Sequence, residues 1–365
     1  MLKNKRKLLI LSPIFPPQTG GPATYAENIA DNLKDFFDIT VISSYKINSD
    51  KPDTEYPFRH ISFKSKAFVR SFLFLFYSLK HIFSCHTVFI TCSIQDTFLC
   101  MLAASVLRKK TLFRIGGEYH REFLSNKNNP GISDRIKSII TLILLKLSTI
   151  FISQYICVSE VIKDYLRSIG IREKITILQN PAPVINNRKK ISHITDKNHI
   201  RLLTAGRLIC RKRFDSLIKL TAYNKDFLLT LGGDGPEGDD LRKLAEKHNV
   251  SHRIVFKGNL NRNELLSEFE KNHFFILNSE SGEGSPNIIL EALEYGIPVL
   301  GSKHIEMTGV LDNENGFIYS DPEQAFDFMK KNLDKEKYSI LAQKSHPKKE
   351  NSKKHHIKKL TRLLT

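Results

Sequence analysis

The stretch FFILNSESGEGSPNIILEALEYGIPVL, residues 274–300, decides the fold. It opens with four apolar residues, Phe274–Leu277, suited to a buried strand. A polar loop follows, and a helical pattern begins near Pro286. Proline suits a first helical turn because its missing N–H would go unbonded there anyway. Pro298–Leu300 then reads as the next strand. Strand, helix and strand in succession imply parallel strands joined by a crossover helix.

The same alternation extends in both directions. Leu202–Ala205, Phe227–Leu231 and Ile254–Phe256 read as strands, with helices at Phe214–Ala222, Glu237–His248 and Asn263–Glu270. Nearer the N-terminus, Lys7–Ser12, Asp38–Ser43, Val88–Cys92, Thr111–Ile115 and Tyr155–Val158 read as strands. A helix from Pro22 to Leu33 carries Ala26, Ile29, Ala30 and Leu33 on one face. Ser159 is suited to cap a helix over Glu160–Ser168, and Gly170 to stop it. Around Asn180–Asn198 the alternation lapses into prolines, asparagines and lysines. The reading is an α/β protein of two Rossmann-like, doubly wound domains. They span residues 1–183 and 200–335, with a linker at 184–199 and a basic C-terminal tail at 336–365.

Composition agrees with this size and class. A chain of 365 residues exceeds what one core usually organises. Apolar residues make up 41% and charged residues 26%, ordinary values for a globular protein. The net charge of +18 points to a polyanionic neighbour, either phosphate-bearing ligands, an anionic membrane or nucleic acid. Nucleic acid is disfavoured, because no helix-turn-helix, zinc finger or RNA-binding aromatic motif occurs. The charge is also weighted to the end, where residues 344–365 hold eight Lys and Arg against Glu350 alone. The five cysteines, Cys85, Cys92, Cys100, Cys157 and Cys210, form no C-x-x-C pair, which fits a reducing, cytoplasmic compartment. The apolar run Leu8–Leu11 is too short for a signal peptide. Phe68–Phe83 and Ile136–Ile152 are strongly apolar, but Arg70, Lys80, Lys137 and Lys146 interrupt them. Each suits a buried helix or one lying on a membrane surface, not a span.

Three motifs carry chemistry. Glu283 and Glu291 bracket a Gly-Ser-Pro turn that opens a helix. The N–H groups of Asn287 and Ile288 at that helix start suit a diphosphate. Glu291 is placed to reach ribose hydroxyls, and Glu283 a transferred sugar. Ala205-Gly206-Arg207-Leu208 with Lys212 ends a strand, so Arg207 and Lys212 project from the sheet edge where doubly wound domains bind ligands. Two cations there can offset charge on a departing diphosphate. Leu231-Gly-Gly-Asp-Gly-Pro-Glu237 is a glycine-rich turn that suits either a nucleotide or close backbone packing.

Together the motifs resemble the donor half of glycosyltransferase family 4, whose members have the GT-B fold. The family's E-x7-E and following A-x-x-x-G-x-P-V stand as Glu283, Glu291, Ala292, Gly296, Pro298 and Val299. Its G-R-L-x-x-x-K stands as Gly206-Arg207-Leu208 to Lys212. Its G-x-G-P-E stands as Gly233 to Glu237, and its N-G as Asn315-Gly316. In the first half, Gly20-Gly21-Pro22 looks like the family's glycine loop, which assigns Gly21 to the donor diphosphate. Arg114 to His120 resembles the segment holding a residue near the reacting sugar, with His120 the candidate and Glu118 its competitor. Asn180-Pro181 resembles the interdomain turn. The chain departs from the family at Arg213, where Lys-Gly is usual, and at Lys303–Thr308, where a Gly-Gly loop is common.

The resemblance implies two domains facing across a cleft and a retaining transfer from a nucleotide-sugar, with UDP-sugar favoured over GDP-sugar. It implies Glu283 and His120 at the reacting sugar, and no obligatory metal or cofactor. The acceptor is expected to be a cell-surface glycan or a lipid-linked precursor. That places the protein in the cytoplasm, peripheral to the inner face of the plasma membrane. A nucleotide-sugar epimerase on the same fold and a nucleic-acid-binding protein are the competing readings.

Overall fold

The computed structural model describes residues 5–18, 20–45, 54–62, 67–125, 130–185 and 199–365. Most of the expected linker, residues 186–198, lies outside the described residues. The chain divides into two compact units. The first comprises Met1–Arg121, Gly131–Asn180 and Lys354–Thr365; the second comprises Glu122–Pro130 and Pro181–Lys353.

In the first unit the elements run β1 (Arg6–Ile14), α1 (Gly21–Leu33), β2 (Phe37–Tyr45), β3 (Phe58–Ser62), α2 (Ala67–Ser84), β4 (Thr87–Ile90) and α3 (Ile94–Val106). They continue with β5 (Lys110–Ile115), α4 (Tyr119–Ser125, of which residues 119–121 belong to this unit), α5 (Ile132–Ser148), β6 (Gln154–Cys157), α6 (Glu160–Ser168) and β7 (Ile175–Ile177). The strands form one parallel sheet in the order β3-β2-β1-β4-β5-β6-β7. Side chains alternate across a strand, so β1 feeds two cores. Leu9 and Leu11 pack on the side of α2, α3, α5 and α6, and Leu8 and Ile10 on the side of α1. Ser159 caps α6 as expected, accepting from the Ile162 N–H.

The second unit holds β8 (Ile200–Ala205), α7 (Phe214–Tyr223), β9 (Phe227–Gly232), α8 (Gly238–Lys247), β10 (Ile254–Gly258), α9 (Arg262–Lys271) and β11 (Phe274–Leu277). It ends with α10 (Asn287–Tyr295), β12 (Val299–Ser302), α11 (Lys303–Met307), β13 (Phe317–Tyr319), α12 (Pro322–Lys331) and α13 (Lys335–Lys344). Its sheet is also parallel, in the order β10-β9-β8-β11-β12-β13. In both sheets successive strands step outward one way, then the chain returns to the centre and steps the other way. That reversal leaves a crevice at the carboxyl ends of the two central strands, which are β1 and β4 in one unit and β8 and β11 in the other.

The expected basic tail does not stand apart from the fold. Residues 335–344 are α13, and α14 (Lys353–Leu364) belongs to the first unit. On α14, His356, Leu360 and Leu364 recur every fourth residue, which places them on one face. All three are fully buried, and both leucines join the core that holds Leu8, Ile10 and Phe15. His356 bridges the Tyr25 hydroxyl at 3.1 Å and the Gln179 carbonyl at 2.7 Å, and burial lowers its pKa to about 3. The cations sit on the opposite face, where Lys354, Lys358 and Arg362 are exposed.

No helix among the described residues is long and apolar enough to cross a membrane.

If α14 is part of the core, Leu360→Ala should destabilise the protein by about 2–5 kcal/mol, as truncation of a buried leucine does. Lys358→Ala on the outer face should stay within about 0.5 kcal/mol. Urea denaturation of both variants makes the comparison, and equal small effects would return α14 to the status of a tail.

Candidate functional site

The crevice of the second unit is built from two loops. Gly206–Arg213 leaves β8 and Asn278–Pro286 leaves β11, and the two strands are neighbours. The loops are stitched together. The Glu280 N–H donates to the Arg211 carbonyl at 3.0 Å, and Arg211 Nη1 donates to the Ser281 carbonyl at 3.1 Å. Arg213 pairs with Glu280 at 2.6 Å and with Asp215 at 3.1 Å. Asn278 donates to the Arg213 carbonyl and accepts from the Tyr319 hydroxyl at 2.8 Å. Arg211 and Arg213 therefore act as staples between the two loops.

The glycine-rich turn after β9 backs the first loop. Gly233 has φ +124°, and a Cβ there would lie 1.9 Å from the Gly206 carbonyl oxygen. A Cβ on Gly235 would lie 2.4 Å from the Leu208 carbonyl oxygen. Leu208 N–H donates to Asp234 O at 2.9 Å, and Glu237 N–H donates to Leu208 O at 3.1 Å. Of the two readings of this turn, close backbone approach is the one its geometry displays.

Lys212 and Glu283 meet where the loops converge. Lys212 Nζ lies 2.6 Å from Glu283 Oε1, with both side chains about nine-tenths buried. Ser279 Oγ donates to the same carboxylate oxygen at 2.9 Å. Burial alone would raise the Glu283 pKa, but the charges of Lys212 and Arg211 and the two hydrogen bonds outweigh it and hold the carboxyl below its ordinary value. The site thus presents an ionised carboxylate and a cation fixed at the end of the sheet. Arg207 is exposed beside Gly206 and makes no ion pair among the described residues.

Asn287, Ile288 and Glu291 lie on α10, which starts one residue later than the sequence suggests. Pro286 is its N-cap, and the Ile289 N–H donates back to the Pro286 carbonyl at 3.1 Å. The first-turn N–H groups of a helix point outward along its axis, so the backbone of Asn287 and Ile288 faces the end of the helix beside Glu283. Glu291 lies a turn further in and is partly exposed. Its surroundings desolvate it enough to raise its pKa to about 7, against a small opposing effect of Arg262.

His304 is a neighbour that the motifs do not single out. It is the second residue of α11, just after β12, and its Nε2 accepts the Glu283 backbone N–H at 3.1 Å. Ser302 adds a hydrogen bond from its hydroxyl to the Ser279 carbonyl. The segment that departs from the family pattern therefore holds the Glu283 loop from behind. The departure itself is the signal in the sequence that marked this segment.

Gly21 and His120 belong to the first unit and are described there. Gly21 begins α1 after Gly20, whose φ is +137°. His120 is half-buried on α4, with Nδ1 2.7 Å from the Tyr165 hydroxyl and the two rings stacked. Burial lowers its pKa, with Arg121 reinforcing and Glu118 opposing. Glu118 itself pairs with Arg121 at 2.9 Å. Cys210 beside Lys212 has its thiol pKa raised by burial and nearby carboxylates, which makes it a poor nucleophile.

Residues 186–353 match the family model of glycosyl transferases group 1. The matched segment contains Arg207, Lys212, Glu283, Asn287, Ile288 and Glu291. The lipopolysaccharide core biosynthesis glycosyltransferase LpsE of Rhizobium meliloti is 29% identical over 45% of this chain and 48% of its own length. The UDP-N-acetylglucosamine–peptide N-acetylglucosaminyltransferase GtfA subunit of Streptococcus pneumoniae is 27% identical over 35% of this chain and 27% of its own length. The chain spans half or less of the length of these curated relatives. Among solved structures, Anabaena Alr3699/HepE with UDP-glucose superposes with a TM-score of 0.72 at 16% identity, covering 98% of each chain. Sucrose-phosphate synthase of Thermosynechococcus elongatus gives 0.77 at 15% identity, again over 98% of each. At such identities the likeness shows the fold, which is that of the GT-B glycosyltransferases.

The ion pair makes a sharp demand on stability. Lys212→Met leaves a buried carboxylate without its nearest counter-ion and should cost about 3–5 kcal/mol in urea denaturation. Adding Glu283→Gln to that variant should recover more than half of the loss. Simple additivity of the two substitutions would mean that the pair is not coupled.

Proposed function

We propose that this chain is a retaining glycosyltransferase of family 4 that moves a hexosyl group from a UDP-sugar to a cell-surface glycan or lipid-linked acceptor. The observation that carries the reading is Lys212 held against ionised Glu283 in the crevice of the unit that matches the glycosyl transferases group 1 model. Relatives named for lipopolysaccharide core biosynthesis and a neighbour solved with UDP-glucose support the donor and acceptor classes.

In this scheme Arg207, Lys212 and the N–H groups of Asn287 and Ile288 hold the diphosphate, and the family resemblance assigns Gly21 to the same group. As the bond from the anomeric carbon to the diphosphate oxygen breaks, negative charge gathers on that oxygen, and fixed cations and N–H dipoles stabilise it. The acceptor hydroxyl attacks from the face the diphosphate leaves, and its proton passes to the departing phosphate. Glu283 orients the sugar hydroxyls and Glu291 accepts from the ribose, and the family resemblance assigns His120 to the reacting sugar. The reaction needs no metal, because cations and backbone dipoles supply the charge a metal would. An acceptor of this class puts the work at the inner, cytoplasmic face of the plasma membrane.

A thermal-shift panel of nucleotide-sugars tests the donor. UDP and a UDP-hexose should raise the melting temperature, and EDTA should leave the shift in place. A shift that appears only with added divalent metal would overturn the charge scheme.

Glu291 gives the site a pH signature. Its carboxyl titrates near 7, and only the ionised form accepts hydrogen bonds from both ribose hydroxyls. Affinity for UDP should therefore rise between about pH 6 and about pH 8 as the group loses its proton. Glu291→Gln should lose that component and, at the upper end, bind UDP more weakly by about 1.5–3 kcal/mol. Calorimetric titration of both proteins across the window separates the residue from the nucleotide's own titration. Identical profiles would remove Glu291 from the ribose.

A further inference from the structure

The first unit turns an apolar, acid-free face outward. Helices α2, α3 and α5 pack on one side of its sheet, with α3 in contact with both others. Their inner residues, such as Phe74, Met101 and Leu145, are fully buried. Their outer residues are apolar as well. Phe76 is 75% exposed, Phe83 59%, Val106 73%, Ile139 58% and Ile143 50%. Soluble proteins rarely leave so many large side chains exposed together without a partner for them.

The charges on these helices are one-sided. Lys80, Arg135, Lys137 and Lys146 are exposed. The only acids on the three helices, Asp96 and Asp134, are both buried. Asp96 pairs with Arg70 at 2.9 Å, and Asp134 accepts from the Gly131 N–H. A second copy of this face is a poor partner, since pairing would bring cations against cations with no acid between them. A surface that is negatively charged outside and apolar beneath fits both components.

We propose that the α2-α3-α5 face docks the protein on an anionic lipid bilayer, with the aromatic and isoleucine side chains entering the acyl boundary and the lysines resting among the headgroups. The proposal deepens the membrane-side location above, but stands on this face alone. It also excludes α14 as part of the same contact. The exposed cations of α14 lie on the opposite side of the same sheet, where its leucines join the core of Leu8 and Ile10. One flat bilayer cannot meet both sides.

Co-sedimentation of the full chain with phosphatidylglycerol vesicles, and with phosphatidylcholine vesicles, provides the test. The unaltered protein should sediment with the former and release at high salt. Phe76→Ser, Ile139→Ser and Ile143→Ser together should lower binding at least about tenfold. Lys80→Glu, Lys137→Glu and Lys146→Glu together should do the same at low salt. Lys354→Glu, Lys358→Glu and Arg362→Glu on α14 should leave binding unchanged. A UDP thermal shift on every variant reports the nucleotide site separately, so that the docking face and the transferase reading can fail independently. Failure of the unaltered protein to bind, serine variants that bind like it, or loss of binding on changing α14 would each overturn the proposal. So would a dimer in sedimentation equilibrium that the serine substitutions dissociate, which would make the face a self-association surface.

Discussion

The second unit is organised around a carboxylate that cannot stand alone. Glu283 is buried at the end of a parallel sheet, where an unpaired charge would be expelled or protonated. Lys212 prevents that, and each group then needs its loop held in place, because an ion pair in a low dielectric is worth its desolvation only in good geometry. The surrounding structure supplies that geometry from three directions. Arg211 and Arg213 bind the β8 loop to the β11 loop, the Gly233–Gly235 turn supports the β8 loop through backbone hydrogen bonds, and His304 and Ser302 hold the β11 loop from the β12 side.

Both departures from the family pattern fall on these supports. Arg213 stands where a glycine is usual, and its φ of +51° and ψ of 42° show why glycine suits the position. A residue with a Cβ in that conformation costs about 1–2 kcal/mol. Here the guanidinium bridges Asp215 and Glu280, contacts a glycine could not make. His304 replaces part of a glycine loop and puts an imidazole acceptor behind the Glu283 backbone. Since Nε2 accepts, the ring must be neutral at that nitrogen, so the loop is held by a group whose acceptor is lost on protonation. In both places a side chain makes the contact that holds the loop.

The fold was legible wherever a strand is a run of buried apolar residues. Lys7–Ser12, Phe227–Leu231 and Phe274–Leu277 lie within or coincide with observed strands. The strands the sequence concealed are β3, β7 and β13, which lie at or next to sheet edges. Phe58–Ser62 carries Arg59 and His60, and the other two have three residues each, too few for a period to register. At the site, Lys212 and Glu283 were legible as residues but their pairing was not, because it depends on which strands are neighbours. The sheet order places β8 beside β11, although they are separated by two whole strand-helix units in the chain. His304 was hidden for the same reason, since its role is a contact between loops.

The C-terminal segment shows how charge counting misleads. Eight cations in residues 344–365 read as a basic tail separate from the domains because net charge ignores where side chains point. The pattern that decides the matter is the interval of four between His356, Leu360 and Leu364, which is too short a series to stand out against the lysines around it. Once the helix forms, those three residues share a face, and the cations are carried to the opposite one. A histidine in that face can be buried because both of its nitrogens find partners, Tyr25 on one side and the Gln179 carbonyl on the other. The same logic runs in reverse on α2 and α5. There the inner face is satisfied by the core, yet the outer face also carries large apolar residues, which no contact among the described residues buries. An amphipathic helix explains its own sequence by folding, whereas the large apolar side chains on the outer faces of α2 and α5 are left unexplained by the core they pack against.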